Sequence, residues 1–210
     1  MVDATSRSGP RRGRPRSERV RLAILEAAAD LLLEGGLAAA SIEAIAGRAG
    51  VSKVTIYKWW PNRGAVAIDA YFHRYQPTIN FEDTGAVGPD LVIQIRALIR
   101  AFRGRAGRVM AELIGQAQTD AALAEVLRTR WLQPRRQAAA RVLERSLGRQ
   151  QIRPDIDVPA VLDQLYAPIY YRLAMRHEPL GNGLADTLVA NLLYGIRLDQ
   201  PAPAPGRARA

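Results

Sequence analysis

Cysteine is absent from the 210 residues. Its absence removes disulfides, thiolate nucleophiles and cysteine-based metal sites together. Histidine is nearly absent: His73 and His177 are the two in the chain, and neither has a paired carboxylate at metal-ligand spacing. No metal and no cofactor are expected. The chain also lacks a phosphate-binding loop, a dinucleotide fingerprint and a nucleophile elbow. Its glycines fall at helix ends, where capping accounts for them, so no catalysis is expected. No stretch approaches the roughly 18 uninterrupted apolar residues of a membrane span. The first residues are rich in arginine, glycine and proline and lack the apolar segment of a secretory leader. A cytoplasmic address, with no membrane partner, is the expectation. No internal repeat and no convincing strand pattern appear.

What is present in excess is positive charge. The formal net charge is +10, with a pI near 10.7, a balance that favours nucleic acid or an anionic surface as partner. Residues 1–21 hold seven arginines against Asp3 and Glu18, a net +5. Residues 22–63 are balanced, with four bases and four acids, and the remainder carries 19 bases and 14 acids. Half of the excess therefore sits in a short front arm. Pro10, Gly13 and Pro15 give residues 1–16 the composition of a disordered segment. A flexible basic arm beside a folded module is one way a DNA reader reaches into the minor groove. The piece Arg12-Gly13-Arg14-Pro15-Arg16 is similar to an AT-hook core, which makes Arg12, Arg14 and Arg16 candidate DNA contacts. A solubilising tail is the other reading of the same composition.

Helical periodicity begins after Ser17, a candidate N-cap. Leu22, Leu25, Ala29, Leu32 and Leu33 recur at spacings of three and four, and Gly35-Gly36 predicts the helix end. A second, short helix is predicted after Ser41, with Ile42, Ile45, Ala46 and Ala49 as its buried stripe and Gly50 as its stop. A third starts after Ser52, runs from Lys53 through Trp60 and meets Pro61, which cannot extend a helix ladder. Two short helices joined through Gly50-Val51-Ser52 form a helix-turn-helix. Small Ala46, four residues before Gly50, lets them pack closely. Val51 and Ile56 are expected to plug the core beneath.

The run from Ile24 to Tyr71, ILEAAADLLLEGGLAAASIEAIAGRAGVSKVTIYKWWPNRGAVAIDAY, resembles the DNA-binding domain of the TetR/AcrR family. The similarity is carried by Ala27-Ala28 with Leu31, by Ser41 through Ala46, by Gly50-Val51-Ser52, and by Thr55-Ile56-Tyr57 followed by Trp60. Two positions depart from the family pattern. Trp59 stands where a histidine is common, and Pro61 and Arg63 occupy a turn that commonly holds a lysine. Trp59 keeps an indole N–H for a phosphate, and Arg63 keeps the positive charge.

A recognition helix of this kind enters the major groove N-terminal end first. Lys53 and Thr55 are then candidates for base edges, with Val54 making apolar contact beside them. Tyr57, Lys58, Trp59 and Arg63 are candidates for phosphate grip, which positions a protein without reading sequence. Ser41 can donate to a phosphate at the start of the second helix. Plain structural duties compete with these roles: Ser41 and Ser52 as caps, Tyr57 as packing against the first helix, and Trp60 as core.

A fourth helix is predicted over 63–75, capped by Asn62 and ended by Pro77, and the resemblance makes it the connector to the body. Residues 76–89 read as a linker. From Pro89 the chain reads as helices throughout. Leu91, Ile95, Leu98, Ile99 and Phe102 mark a fifth, whose Arg96, Arg100 and Arg103 form a solvated face. A shorter sixth carries Val109, Leu113, Ile114 and Ala117. A long seventh is predicted from Asp120 to about Gly148, with Leu123, Val126, Leu127, Trp131, Ala138, Val142 and Leu147 inward and a split or kink at Pro134. An eighth, capped by Asp157, carries Leu162, Leu165, Ile169 and Leu173 and a kinking Pro168. A ninth spans about Leu184 to Ile196, and residues 200–210 form a disordered tail. The expected fold is all-α, with a three-helix DNA-binding domain over 17–62 and a helical bundle over 76–199, about nine helices in all.

The resemblance further implies a homodimer on double-stranded DNA and a small-molecule effector. Two heads about one duplex turn apart would demand a near-palindromic operator. Leu188, Asn191, Leu192 and Gly195 are the candidate dimer contacts on the ninth helix. Phe102, Met110, Gln116, Trp131, Tyr166, Tyr170 and His177 have the chemistry for an effector cavity, although aromatic residues at helical spacing also build plain core. The stretch YAPIYYRLAMRHE (166–178) is similar to one C-terminal subgroup of the family. A ligand-released repressor is therefore expected. An architectural DNA binder that works by charge alone, with no effector, remains the alternative, and an enzyme is remote.

Overall fold

The computed structural model describes residues 14–75 and 81–196, with side chains from Ser17 onward. Every described element is helical or a turn. The chain divides into two compact units after Arg74, each described by itself. Arg12, Pro77 and the expected tail at 200–210 lie outside the described residues, as does most of the front arm. The side chains of Arg14 and Arg16 do as well.

The first unit is built from four helices: α1 (Arg14–Ala39), α2 (Ile42–Ala49), α3 (Lys53–Tyr57) and α4 (Arg63–Tyr75). Helix α1 starts three residues before Ser17, so Ser17 lies inside its first turns and is not its N-cap. Pro15 explains the extension, because proline's fixed φ and missing N–H suit a helix's opening turn. The glycine pair acts as expected. Gly36 has φ +68 and ψ −162, a conformation open essentially to glycine, and it breaks the helix before a last turn at 37–39. Ile24, Leu25, Ala28 and Leu32 form the buried stripe, with Ile45, Ile56, Val66 and Ile68 from the other helices completing the core. Each such aliphatic side chain contributes about 1.5–3 kcal/mol by leaving water. Leu33, Ala49 and Val51, expected inside, are half-buried, and Leu22 is exposed.

Helix α3 is shorter than the periodicity predicts. It closes at Tyr57, where the amides of Trp59 and Trp60 both converge on the Ile56 carbonyl, at 2.9 and 3.0 Å. That tight last turn swings Trp60 inward, where it is 1% exposed. Its indole N–H donates to Asp69 Oδ2 of α4 at 2.8 Å. The tryptophan's burial thus ends the helix before Pro61 is reached. Asn62 caps α4 by accepting from the Ala65 amide at 2.9 Å.

The second unit contains α5 (Val87–Ala101), α6 (Gly104–Ala117), α7 (Ala121–Leu127), α8 (Gln133–Gly148), α9 (Val158–Met175) and α10 (Leu184–Ile196). Helix α5 packs against α10 and α8, while α6 packs against α7 and α9. Leu91, Ile95, Leu98, Met110, Leu113, Leu143, Leu165 and Ile169 fill the interior. Helices α5 and α6 meet at a close approach. A Cβ on Gly107 would stand 1.8 Å from the Phe102 carbonyl oxygen, so only glycine fits there. Pro89 lies in the first turn of α5, which starts at Val87. The segment before α5 is tied down by polar contacts. Asp90 accepts from the Thr84 amide at 2.7 Å. Asp83 takes a two-pronged contact from Arg149 at 2.7 and 3.0 Å.

The single long helix expected from Asp120 to Gly148 is interrupted. Between α7 and α8 lies a π-helical turn at Arg128–Leu132, and the Gln133 amide donates to the Arg128 carbonyl. Pro134 gives the reason. It has no N–H for the carbonyl four residues back, and its ring would clash with it, so the wider turn makes room. Pro134 then sits in the first turn of α8 rather than kinking a continuous helix. The extra residue rotates everything downstream. Ala139, Leu143 and Ser146 are buried beside the expected Val142, whereas Ala138 and Leu147, expected inward, are half-buried, as are Val126 and Leu127. With α7, the π turn and α8 taken as one interrupted helix, the described residues hold the nine anticipated. Arg96 and Arg100 of α5, and Arg103 just beyond it, are exposed as expected, but two are engaged. Arg96 pairs with Asp186 at 2.6 Å, and Arg103 donates to Asn182 Oδ1 at 2.6 Å.

Candidate nucleic-acid interface and effector cavities

The helix-turn-helix is assembled by local capping. Ser41 Oγ accepts from the Ala44 amide at 3.1 Å and starts α2. Gly50 adopts a left-handed conformation, φ +65, and closes α2 by donating to carbonyls of its last turn. Ser52 Oγ accepts from the Thr55 amide at 3.2 Å and lies 3.0 Å from Thr55 Oγ1. Both serines therefore cap helices, and the Thr55 hydroxyl is joined to its cap. The turn holds α3 with Ile56 fully buried beneath.

Because Ile56 and Trp60 point inward, their neighbours point out. Val54 is 66% exposed, Tyr57 52% and Trp59 40%. Lys53, Lys58 and Arg63 are exposed beside them, while Thr55 and Ser41 are half-buried. Exposed apolar and aromatic groups interleaved with cations suit a surface that meets base edges and phosphates.

Sequence spacing did not reveal the acid beside this surface. Glu43 of α2 receives a hydrogen bond from Lys53 Nζ at 2.8 Å. That bond holds the Glu43 carboxyl below the usual carboxylate range and raises Lys53. A second clamp, Arg48 to Glu34 at 2.6 Å, links α2 to the end of α1. Only the crossing of α2 and α3 puts Glu43 and Lys53 within reach.

In the second unit, Met110, Trp131 and Tyr170 line one cavity of about 440 Å³, with Ile114, Leu127 and Leu132. The Trp131 indole donates to the Tyr170 hydroxyl at 3.1 Å, and burial pushes that hydroxyl's pKa up. The Arg135 guanidinium lies 3.1 Å above the Trp131 ring. This volume is within the range of drug-sized ligand sites, and the lining is mainly apolar. Phe102 and His177 line a different cavity, of about 540 Å³. Tyr166 donates to Gln94 at 2.8 Å inside the bundle, and Gln116 is exposed and lines neither cavity. The π turn contributes Arg128, Trp131 and Leu132 to the first cavity. Its widened backbone had no signature in the sequence beyond Pro134.

On α10, Asn191 and Gly195 are exposed, Leu188 is half-buried and Leu192 faces its own unit's core. The large apolar groups left exposed nearby are Tyr194 at 71%, and Tyr171 and Met175 of α9 at 58% and 62%.

Two family models match the chain. "Bacterial regulatory proteins, tetR family" covers residues 24–70, and "Tetracyclin repressor-like, C-terminal domain" covers 81–192. The uncharacterized HTH-type transcriptional regulator YdeS of Bacillus subtilis is 41% identical over 187 residues, which are 89% of this chain and 94% of the relative. The DNA-binding transcriptional repressor TetR of Mycobacteroides abscessus is 28% identical over 87% of this chain and 94% of its own. Among solved structures, the TetR family transcription regulator SCO0332 superposes with a TM-score of 0.75 at 45% identity. It covers 84% of this chain and 98% of its own.

Proposed function

Because the chain belongs to the TetR family of helix-turn-helix transcription regulators, we propose that it acts in the cytoplasm as a homodimeric repressor released by a small molecule. The observation that carries the reading is the α3 surface. A capped recognition helix presents Lys53, Val54, Tyr57 and Lys58 outward from a buried Ile56. In this reading Lys53, Val54 and Thr55 meet base edges, and Tyr57, Lys58, Trp59, Arg63 and Ser41 meet phosphates. The arm at 1–16, through Arg12, Arg14 and Arg16, adds contact in the minor groove. The exposed Tyr171, Met175 and Tyr194 supply an apolar surface for pairing through α9 and α10.

The cavity at Met110, Trp131 and Tyr170 holds the effector. Its occupation favours a spacing of the two heads that no longer matches successive major grooves, with the helix at 63–75 carrying the movement. A useful switch needs roughly tenfold to thousandfold loss of operator affinity, about 1.4–4 kcal/mol of differential binding. The test is selection of bound fragments from the source genome at low and near-physiological salt. A few sites sharing an inverted repeat that survive the higher salt are expected. Unrelated fragments that vanish as salt rises would instead establish an architectural binder held by arm and phosphate.

A further inference from the structure

Two cavities lie along the α6–α9 groove, separated by one ring. The first is the apolar pocket of Met110, Trp131 and Tyr170. The second, of about 540 Å³, is rimmed by Arg103, Arg108, Arg172 and Arg176 over a floor that includes Phe102 and Leu173. Glu178 is the one acid in its lining. Phe102 is the partition. Its ring is 5.5 Å from Tyr170 and 6.2 Å from Trp131, both walls of the apolar cavity. On α9 the adjacent residues Leu173 and Ala174 line the two cavities in turn.

The four arginines are not equivalent. Arg103 donates to the Leu180 carbonyl and Asn182, and Arg172 donates to the Pro179 carbonyl at 3.0 Å. Both hold the loop after α9. The guanidinium groups of Arg108 and Arg176 are exposed and have no protein partner among the described residues. Arg176 also sits at φ +54, a left-handed conformation unfavourable for a residue with a Cβ. Several cations around one concavity with a single acid raise the local concentration of anions. Guanidinium groups match carboxylate and phosphate in geometry.

We propose that the effector is an amphipathic anion. Its carboxylate or phosphate head is held by Arg108 and Arg176, and its apolar chain displaces the Phe102 ring to reach the Met110–Trp131–Tyr170 cavity. The inference rests on the ligand-gated reading above for its biological meaning, but not for its test.

The test uses the full-length protein and decanoate, decyl phosphate and decanol, the anions below their micelle concentrations and the alcohol below its solubility limit. Binding is followed by equilibrium dialysis and by tryptophan fluorescence. Both anions are expected to bind at least tenfold tighter than decanol. The double variant Arg108→Gln/Arg176→Gln should lose that preference and leave decanol binding unchanged. Ala174→Trp, which fills the apolar cavity from its rim, should weaken all three at least tenfold. Thermal melting verifies that each variant folds. Equal affinity for anion and alcohol, no binding of any probe, or an anion preference that survives the double variant would each overturn the inference. So would inorganic phosphate binding as tightly as decyl phosphate, since the chain would then contribute nothing. Operator affinity is measured separately. Anion binding without operator release defeats the ligand-gated reading and leaves this one standing.

Discussion

The indole of Trp60 and the carboxylate of Asp69 meet at 2.8 Å, so the end of the recognition segment is fastened to α4. A tryptophan that is 1% exposed would otherwise hide an unsatisfied N–H. Trp60→Phe keeps most of the buried area and removes the donor. It is expected to lower stability by about 0.5–1.5 kcal/mol, the net contribution of one hydrogen bond. Urea denaturation followed by circular dichroism measures this, and a midpoint unchanged from wild type would deny the bond any role.

Ser52 caps α3, which has only five residues, so the cap governs a large fraction of its hydrogen bonding. Ser52→Ala is expected to cost about 0.5–2 kcal/mol, and Ser52→Gly only a few tenths. Because that cap orders the recognition helix, operator affinity should fall in the same order. Melting curves and operator titrations on both variants check the ranking. Equal losses for alanine and glycine would show that the hydroxyl serves DNA directly rather than the helix.

Glu43 and Lys53 are exposed partners at 2.8 Å, so their bond is worth little to stability. Its expected effect is on DNA binding. Glu43→Gln should free Lys53, raise affinity for random duplex several-fold and steepen the salt dependence. Arg63→Ala should do the opposite, weakening all duplexes about equally and reducing the salt slope by about one. Thr55→Ala should instead relax sequence preference with little change in slope. Fluorescence anisotropy at several salt concentrations separates the three. A Glu43→Gln protein with unaltered affinity for random duplex would show that the ion pair does not restrain Lys53.

Asp83 is the acid with the strongest displacement. Hydrogen bonding from Arg149 lowers its pKa from 3.8 to about 2. A depressed folded-state value means that the unfolded chain takes up the proton first. The contribution is therefore present above the unfolded value near 3.8 and is lost as pH falls toward about 2. Wild type should lose melting temperature between pH 5 and 2 faster than Asp83→Asn does, and added salt should narrow the gap, because the pair is solvent-accessible. Parallel melting profiles for the two proteins would remove Asp83 from the account of acid sensitivity.

What the sequence by itself determined is whatever is settled within a few residues. Ser41, Ser52, Asn62, Asp120 and Asp157 each cap the helix that follows, as their side-chain type and position dictated. Gly36 and Gly50 take the positive φ that ends a helix. The buried stripes of α1, α5 and α9 follow their 3.6-residue period. These are local matters of dihedral freedom, orphan amides and apolar spacing. Tertiary structure decided the rest. Helix α3 stops at Tyr57 because Trp60 finds Asp69, a partner on another helix. Lys53 meets Glu43 only where α2 crosses α3. The π turn at 128–132 rotates α8 so that Leu143 and Ser146, not Ala138 and Leu147, face the core. Phe102 becomes a wall between two cavities because α6, α9 and the π turn bring Tyr170 and Trp131 to its faces. A linear pattern records which side of its own helix a residue occupies. Which neighbour it meets depends on how separate helices pack, and that is set by the sum of many contacts spread over the chain.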